Sequence, residues 1–380
     1  MGYVAVKGGT QAIANANDLV EFYRIKSLAP PIQIEQLKAQ FRLAIDKIMG
    51  EGSFYAPEYG AIALKQVEGD VLEAAFIMRA FRATLSRKYY SNIIDTKKMF
   101  VQRRISSSFR DIPGGQILGP TRDYTQRLID NRMVDEKITD FEKFAADFED
   151  RIDPAKLKEI NTFDKVVDML REQGLLKPVG NNEDQTVLDV TRTAIKFPTP
   201  RSARLQMLAR AETGGLMALG YSSMRGHGAV HPTVGELRVG KVKIEVNDAS
   251  GKKRYIGRIQ VTEAEMISKA QSGNKKSPPY YAIGYGLCFG QNETKGICMG
   301  ILDRAMRMEN NGSPSSDQEF VLYHTEGIES MGFTNHLKLP HYVTFQSGMS
   351  NLRQAIEREK SKVDTKKSGV AEKKELTTIN

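Results

Sequence analysis

Val239-Gly240-Lys241-Val242-Lys243-Ile244-Glu245-Val246-Asn247-Asp248-Ala249-Ser250-Gly251 is the stretch that decides the fold. Val242, Ile244 and Val246 alternate with charged residues, the period-two pattern of a strand with one covered face. Asp248 to Gly251 carries the turn residues of a hairpin, so a second strand should run back toward Val261. Beyond it, Thr262-Glu263-Ala264-Glu265 has capping-box spacing, which predicts a helix starting there. Tyr280 to Phe289 reads as a further strand and Thr294 to Met308 as a helix.

Upstream the pattern is mostly helical. Tyr3 to Val6 reads as a short strand, turned by Gly8-Gly9 into a helix ending near Arg24. Ile34, Leu37, Phe41, Ile45 and Ile48 fall at helical spacing, with a stop at Gly50 to Gly52. Pro57 opens a helix through Val67, and Asp70 is placed to cap another that runs through Leu85. From Met99 to Phe109, β-branched and aromatic residues alternate with arginines, as in a strand. The class is therefore α+β, a helical N-terminal region followed by a mixed strand and helix body. Its expected divisions are a helical part (1–95), a strand with a Gly/Pro loop (96–130), a peripheral charged segment (131–190), a mixed domain (191–358) and a Lys-rich tail (359–380).

At 380 residues and 40% hydrophobic, the chain can bury a sizeable core and is not a disordered chain. No run reaches the roughly 18 apolar residues of a membrane helix, and the N-terminus lacks the layout of a secretory signal. A cytoplasmic location is expected. Cys288 and Cys298 stand outside any CxxC motif, so they read as two free thiols in or near the core. Such a chain cannot ligate its own iron–sulfur cluster through cysteines. The formal charge is +9, part of it in the solvated stretch from Lys360 to Asn380, which reads as a flexible tail. The remainder is spread through the body chiefly as arginine, the residue suited to bidentate recognition of phosphate. No RNA-binding motif, Walker A loop or strand-linked GxGxxG is present.

Three segments concentrate chemistry. The first runs from Arg103 and Arg104 through Ser106-Ser107-Ser108 and Arg110-Asp111 to Pro113-Gly114-Gly115, with Arg122 and Asp123 after a Gly-Pro-Thr corner. Arginines, hydroxyls and a glycine turn can wrap phosphate oxygens, and a salt-bridged strand face is the competing reading. In the second, Pro198-Thr199-Pro200 should hold Arg201 and Arg204 on an extended support. It leads to His227 and His231, where Gly226, Gly228 and Pro232 oppose the helix that would align them on a metal, and to Glu236. The third holds His336 and His341, five residues apart around Pro340. On a helix they would splay by about 140°, but on an irregular turn both imidazoles can converge on one cation. Two ligands are too few for a closed zinc site, which needs about four.

Taken in order, these blocks resemble the PhnI subunit family of bacterial carbon–phosphorus lyase. The features are Tyr3-Val4-Ala5-Val6-Lys7-Gly8-Gly9, Arg103-Arg104-Ile105-Ser106 with Asp111 to Gln116, Pro200 to Gln206, Arg225 to Pro232, Gly284 to Gly290 and Asn335 to Val343. The resemblance runs from Tyr3 to about Arg358, most weakly over 131–190. It implies a complex with the G, H and J subunits, of which J carries the radical iron–sulfur chemistry. The L subunit and the K ATPase subunit are further expected partners. It also implies formation of α-D-ribose 1-methylphosphonate 5-triphosphate from ATP or GTP and methylphosphonate, and purine nucleosidase activity for the chain alone. Neither a membrane nor a nucleic acid is an expected partner. An interfacial zinc would fall on His336 and His341.

Breaking a purine N-glycosidic bond builds oxocarbenium charge on the ribose, which a carboxylate can stabilise. Asp111, Asp123 and Glu236 are the candidates, each in a loop dense with Gly, Pro or Arg. Arg104, Arg110, Arg201 and Arg204 are the candidates for the triphosphate, with a divalent cation sharing its charge. The alternatives are a non-catalytic scaffold in the same complex and a basic RNA-binding protein.

Overall fold

The computed structural model describes residues 9–125, 127–153, 163–176, 187–225, 231–269, 280–307, 312–339 and 345–376. The strand expected at Tyr3 to Val6 lies outside them. The chain divides into two compact units, one of Ile32–Ile328 and one joining Met1–Pro31 to Glu329–Asn380.

The larger unit opens with four helices, α2 (Ile34–Gln40), α3 (Arg42–Gly52), α4 (Pro57–Gln66) and α5 (Val71–Thr84). The expected helix over 34–48 is broken in two at Phe41. Pro57 opens α4, and the Asp70 side chain accepts from the backbone N–H groups of Leu72 and Glu73 to cap α5, as expected. Leu37, Ile45, Ile48, Met49, Leu64 and Met78 close these helices around one apolar cluster.

Four antiparallel strands follow in sheet order β1 (Phe100–Ile105), β2 (Thr233–Asn247), β3 (Lys253–Lys269) and β4 (Tyr281–Phe289). The β2–β3 hairpin turns at Asp248 to Gly251, where Asp248 accepts from the N–H groups of Ser250 and Lys252. The helix expected at Thr262 does not form. Thr262 to Lys269 instead continue β3, paired with β4 throughout and with β2 as far as Ile267. A two-sided ladder pairs backbone groups along most of that run, whereas a capping box serves only the first turn of a helix. The period-two alternation of Glu263 and Glu265 with Ala264 and Met266 was the better local signal.

Between β1 and β2 lie α6 (Ile138–Glu149), α7 (Val166–Glu172), α8 (Arg201–Arg210) and α9 (Thr213–Arg225). The 131–190 stretch is exposed along α6, but Val166, Val167, Leu170 and Leu176 pack with Ile112 and Ile267 in a buried cluster. The support expected to be extended at Arg201 is the first turn of α8, with Pro200 as its N-cap residue. A fixed φ at Pro200 suits a helix start as well as an extended segment.

One face of the sheet is covered by α10 (Glu293–Arg307). A Cβ on Gly284 or Gly286 of β4 would collide with the carbonyl oxygen of Gly300 or Gly296 on α10, so helix and strand meet backbone to backbone. Cys288 and Cys298 join Leu208, Leu216, Met299 and Leu302 in the apolar cluster on this side. Both are free and buried, and burial pushes their thiols up to about 12 and about 11. Neither is a reactive thiolate near neutrality. Helix α11 (Gln318–His324) completes this layer, and α12 (Gly327–Asn335) runs from the larger unit into the smaller one.

The smaller unit also contains α1 (Thr10–Ile25) and the long α13 (Phe345–Leu376). As far as Leu376, the Lys-rich stretch read as a flexible tail is the end of α13. Its Lys, Glu and Ala residues are good helix formers and no proline interrupts them. No helix among the described residues is long and apolar enough to cross a membrane.

Candidate functional site

The register of the sheet places Arg104 opposite Arg238, Arg238 opposite Glu263, and Glu236 opposite Glu265, with Tyr285 beyond it. Directly paired residues share a face, so these six side chains stand together on the face away from α10. The segment from Phe163 to Val166 adds Lys165 and closes over them. Arg104, Arg238, Glu236, Glu263, Glu265 and Lys165 are all buried.

Glu263 is the anchor of this cluster. It accepts from Thr96 Oγ1 at 2.7 Å, Lys165 Nζ at 2.8 Å, the Tyr285 hydroxyl at 2.9 Å and Arg238 Nε at 3.0 Å. Burial alone would raise its pKa, but the opposing charges of Arg238 and Lys165 hold it down, to about 2. Glu265 is the opposite case. Among the described residues its only partner is Lys165 at 3.1 Å, and its Oε2 has none. Burial, reinforced by Glu263 and Glu236 and opposed by Lys165, lifts it to about 7. Burial and the neighbouring Glu263 carboxylate also raise the pKa of the Tyr285 phenol.

Two of the residues singled out in the sequence are joined here. Arg104 Nε meets Glu236 Oε1 at 2.5 Å, with the two side chains 0% and 1% exposed. Glu236 Oε2 accepts from the Val166 N–H at 3.2 Å. Arg104 also donates to the carbonyls of Pro113, Gly115 and Asp164 and lies over the Phe163 ring. The Pro113-Gly114-Gly115 turn thus offers its carbonyls to a guanidinium rather than its N–H groups to phosphate. Arg104 and Glu236 saturate one another in the interior.

A second cluster opens to solvent. Buried Arg103, on the α10 face, donates to Asp123 Oδ2 at 2.7 Å and reaches Glu293 Oε1 at 2.8 Å with Nε. Thr121 Oγ1 also donates to Asp123 Oδ2, at 2.7 Å. The Asp123 side chain remains 47% exposed. Gln291 ties Glu293 to the Pro120 carbonyl and accepts from Arg42. Two carboxylates are thereby oriented by one enclosed guanidinium at the mouth of the 118–123 loop.

The other candidates are scattered. Arg110 and Asp111 are exposed on the loop after β1. Arg201 grips Asp303 of α10 with two bonds, at 2.8 and 3.1 Å, and Arg204 donates to the Thr199 carbonyl at 2.7 Å. His231 is exposed just before β2, and His227 lies outside the described residues. His336 belongs to the smaller unit, in a short 3-10 turn after α12, and His341 lies outside the described residues. The Phe333 carbonyl faces His336 Nδ1. Among the described residues no three His, Cys, Asp or Glu groups converge as a metal site. A metal on His336 would therefore draw its other ligands from His341 and from outside this set.

Sequence reading missed Lys165, Arg238, Glu263, Glu265 and Glu293. Glu236 with Arg238, and Glu263 with Glu265, sit at the spacing of two that puts both on one strand face, and that signal was readable. Lys165 and Glu293 reach their partners only through the tertiary fold.

The family model described as "Bacterial phosphonate metabolism protein (PhnI)" matches residues 2–359. A candidate C-P lyase subunit protein of Stutzerimonas stutzeri, HtxH, is 45% identical over 93% of this chain and 95% of its own length. The alpha-D-ribose 1-methylphosphonate 5-triphosphate synthase subunit PhnI of Rhizobium meliloti is 42% identical over 92% of this chain and 94% of that protein. The protein of the same name from Escherichia coli is 40% identical over 92% and 97%.

The contrast between the two buried glutamates sets a pH dependence. An acid whose pKa is raised on folding loses stability as pH climbs from its unfolded value, near 4.5, through about 7. Glu263, held down, contributes stability above about 4.5 that is lost as pH falls toward 2. Glu265→Gln should therefore flatten the decline in melting temperature between pH 5 and 7, in the approximate window set by these shifts. Equal slopes for the two proteins in that window would contradict this assignment.

Proposed function

Because this chain belongs to the PhnI family of bacterial phosphonate metabolism proteins, we propose that it is the synthase subunit that displaces the purine base of ATP or GTP with methylphosphonate. The product is α-D-ribose 1-methylphosphonate 5-triphosphate. The observation that carries this reading is the near end-to-end similarity, 40% identity over 97% of the length of a relative whose name states that product. A chain of this family works as one subunit of a multisubunit carbon–phosphorus lyase system. Its partners are the G, H, J and L subunits, with the K ATPase subunit a further one, and its location is the cytoplasm. The two inert thiols suit a division of labour that leaves cysteine-ligated radical chemistry to the J subunit.

The chemistry follows from the bond that changes. A phosphonate oxygen attacks C1 of the ribose, the bond from C1 to the purine nitrogen breaks, and the base leaves with a proton. With the chain alone, water attacks instead. Asp123 is the carboxylate best placed for this step. Glu236 is enclosed by Arg104, and no partner among the described residues orients Asp111, whereas Asp123 is both exposed and fixed by Arg103 and Thr121. Its carboxylate would stabilise positive charge on the ribose, and Glu293, held by the same guanidinium, would keep the pair rigid. Arg110, exposed on a loop, would meet the triphosphate with a divalent cation sharing its charge. Arg201 and Arg204 would do so only by releasing Asp303 and the Thr199 carbonyl.

His336 and His341 are proposed to hold a zinc ion completed by a neighbouring subunit. The Phe333 carbonyl beside His336 Nδ1 is the kind of second contact that orients a metal-bound histidine. Bound zinc would supply a Lewis acid at a subunit boundary.

Two experiments test these assignments. The purified chain given ATP should release adenine, and Asp123→Asn should slow that release by about 100-fold or more with an unchanged melting temperature. No release by the wild-type chain would make it a scaffold, and a fully active Asp123→Asn would remove Asp123 from the chemistry. In the assembled complex, His336→Ala with His341→Ala should abolish zinc by elemental analysis and impair C–P cleavage more than base release. Unchanged zinc content, or equal loss of both activities, would contradict this placement.

A further inference from the structure

Arg304, in the last turn of α10, is a charge that the fold encloses without answering. The residue is 4% exposed, and its Nε and Nη2 are buried with no hydrogen-bond partner among the described residues. The acid beside it in sequence, Asp303, is committed elsewhere. Asp303 accepts from Arg201 at 2.8 and 3.1 Å and from the Tyr285 N–H at 3.0 Å, and Arg307 Nε stands 4.0 Å away. Arg307 also donates to the Ile283 carbonyl. Burial, and then Arg307, push the Arg304 guanidinium below its ordinary pKa, yet an arginine stays charged near neutrality. Buried charges are ordinarily paired, because an enclosed charge left alone is costly.

A second unanswered group lies on the same side of the sheet. A Cβ on Gly284 of β4 would lie 2.9 Å from the Arg304 Cβ. A Cβ on Gly300, one turn earlier on α10, would lie 2.5 Å from Met266 Cγ of β3. Met266 pairs with Gly284, and Ser268 pairs with Ala282 two residues further along. Ser268 therefore shares the face of Met266, beneath the end of α10 that carries Arg304. It is 4% exposed, and its Oγ has no hydrogen-bond partner among the described residues. Nε and Nη2 form one edge of a guanidinium, from which two N–H groups point the same way. The Ser268 hydroxyl can add a third donor.

We propose that Arg304 and Ser268 hold a small inorganic monoanion of the halide class, chloride in practice, between the end of α10 and the sheet. One negative charge answers the one guanidinium that has no carboxylate. The enclosure, with Met266, Gly284 and Gly300 packed beside it, suits a small anion that sheds its water readily. A multiply charged oxyanion would bring more negative charge than this single guanidinium answers. The bound ion ties α10 to β3, so it acts on the stability of the layer that covers the sheet. The site goes beyond the synthase reading, because it uses neither Asp123 nor the histidine pair.

Thermal melting of the full chain at constant ionic strength, with chloride replacing gluconate, tests the proposal. Chloride should raise the melting temperature saturably, by several degrees once it exceeds its dissociation constant about 100-fold. Bromide should act alike. Arg304→Met, which removes the charge and keeps the stem, should melt at a temperature that no longer depends on chloride. Ser268→Ala keeps the charge and should need about tenfold more chloride for the same rise, the scale of one hydrogen bond to an ion. In crystals grown with bromide, an anomalous peak should stand within hydrogen-bond reach of Arg304 Nε and Nη2. The proposal is overturned if the wild-type chain shows no chloride dependence, or if Arg304→Met keeps it. It is also overturned if the stabilisation that Arg304→Met removes is given by phosphate and not by chloride. Should Arg304→Met fail to fold, an unchanged chloride midpoint in Ser268→Ala, or no bromide peak at Arg304, would sink the idea. Adenine release enters none of these readouts, so this proposal and the synthase reading fail separately.

Discussion

Arg104, Arg238 and Lys165 meet Glu236, Glu263 and Glu265 on one enclosed face of the sheet, and much of the larger unit is fixed by that meeting. Arg104 reaches from β1 to β2, to the 113–115 turn and to Asp164. Lys165 and Tyr285 of β4 meet one carboxylate oxygen of Glu263 on β3, and Arg238 meets the other. Taking such charges out of water costs several kcal/mol per ion. The arrangement offsets this by giving nearly every lone pair of Glu263 a donor. Removing one member would leave its partner buried and uncompensated, at a cost of about 3–5 kcal/mol.

That constraint limits where chemistry can occur. A carboxylate enclosed together with its guanidinium, as Glu236 is with Arg104, cannot turn to a ribose without dismantling the sheet face. The groups left for reaction and binding are those at the margins of the network. Asp123 is one, oriented from behind by Arg103 yet open in front. The opposite face of the sheet is spent on packing, where the glycines of β4 and α10 let two backbones touch.

Much of the architecture was legible in the sequence because it is written in local patterns. The Asp70 cap, the Pro57 helix start and the Asp248 to Gly251 turn each act within a few residues. The error at Thr262 arose where two local signals competed. Thr262 to Glu265 satisfies the capping template, yet its alternation belongs to a strand whose ladder partners lie about 20 to 30 residues away. The site was less legible for a related reason. Arg104 and Glu236 were visible as unusual charges in Gly- and Pro-rich surroundings, but that they would find each other depends on the β1–β2 register. Family resemblance supplied the reaction, since no spacing in this chain spells it out.

The most direct test concerns the enclosed pair. Arg104→Met combined with Glu236→Leu replaces both charges with apolar groups, an exchange that buried ion pairs tolerate when both partners are removed together. If Arg104 and Glu236 are there to hold the fold, the double variant should melt cooperatively near the wild-type temperature and still release adenine from ATP. A folded double variant that releases no adenine would place the pair in the chemistry.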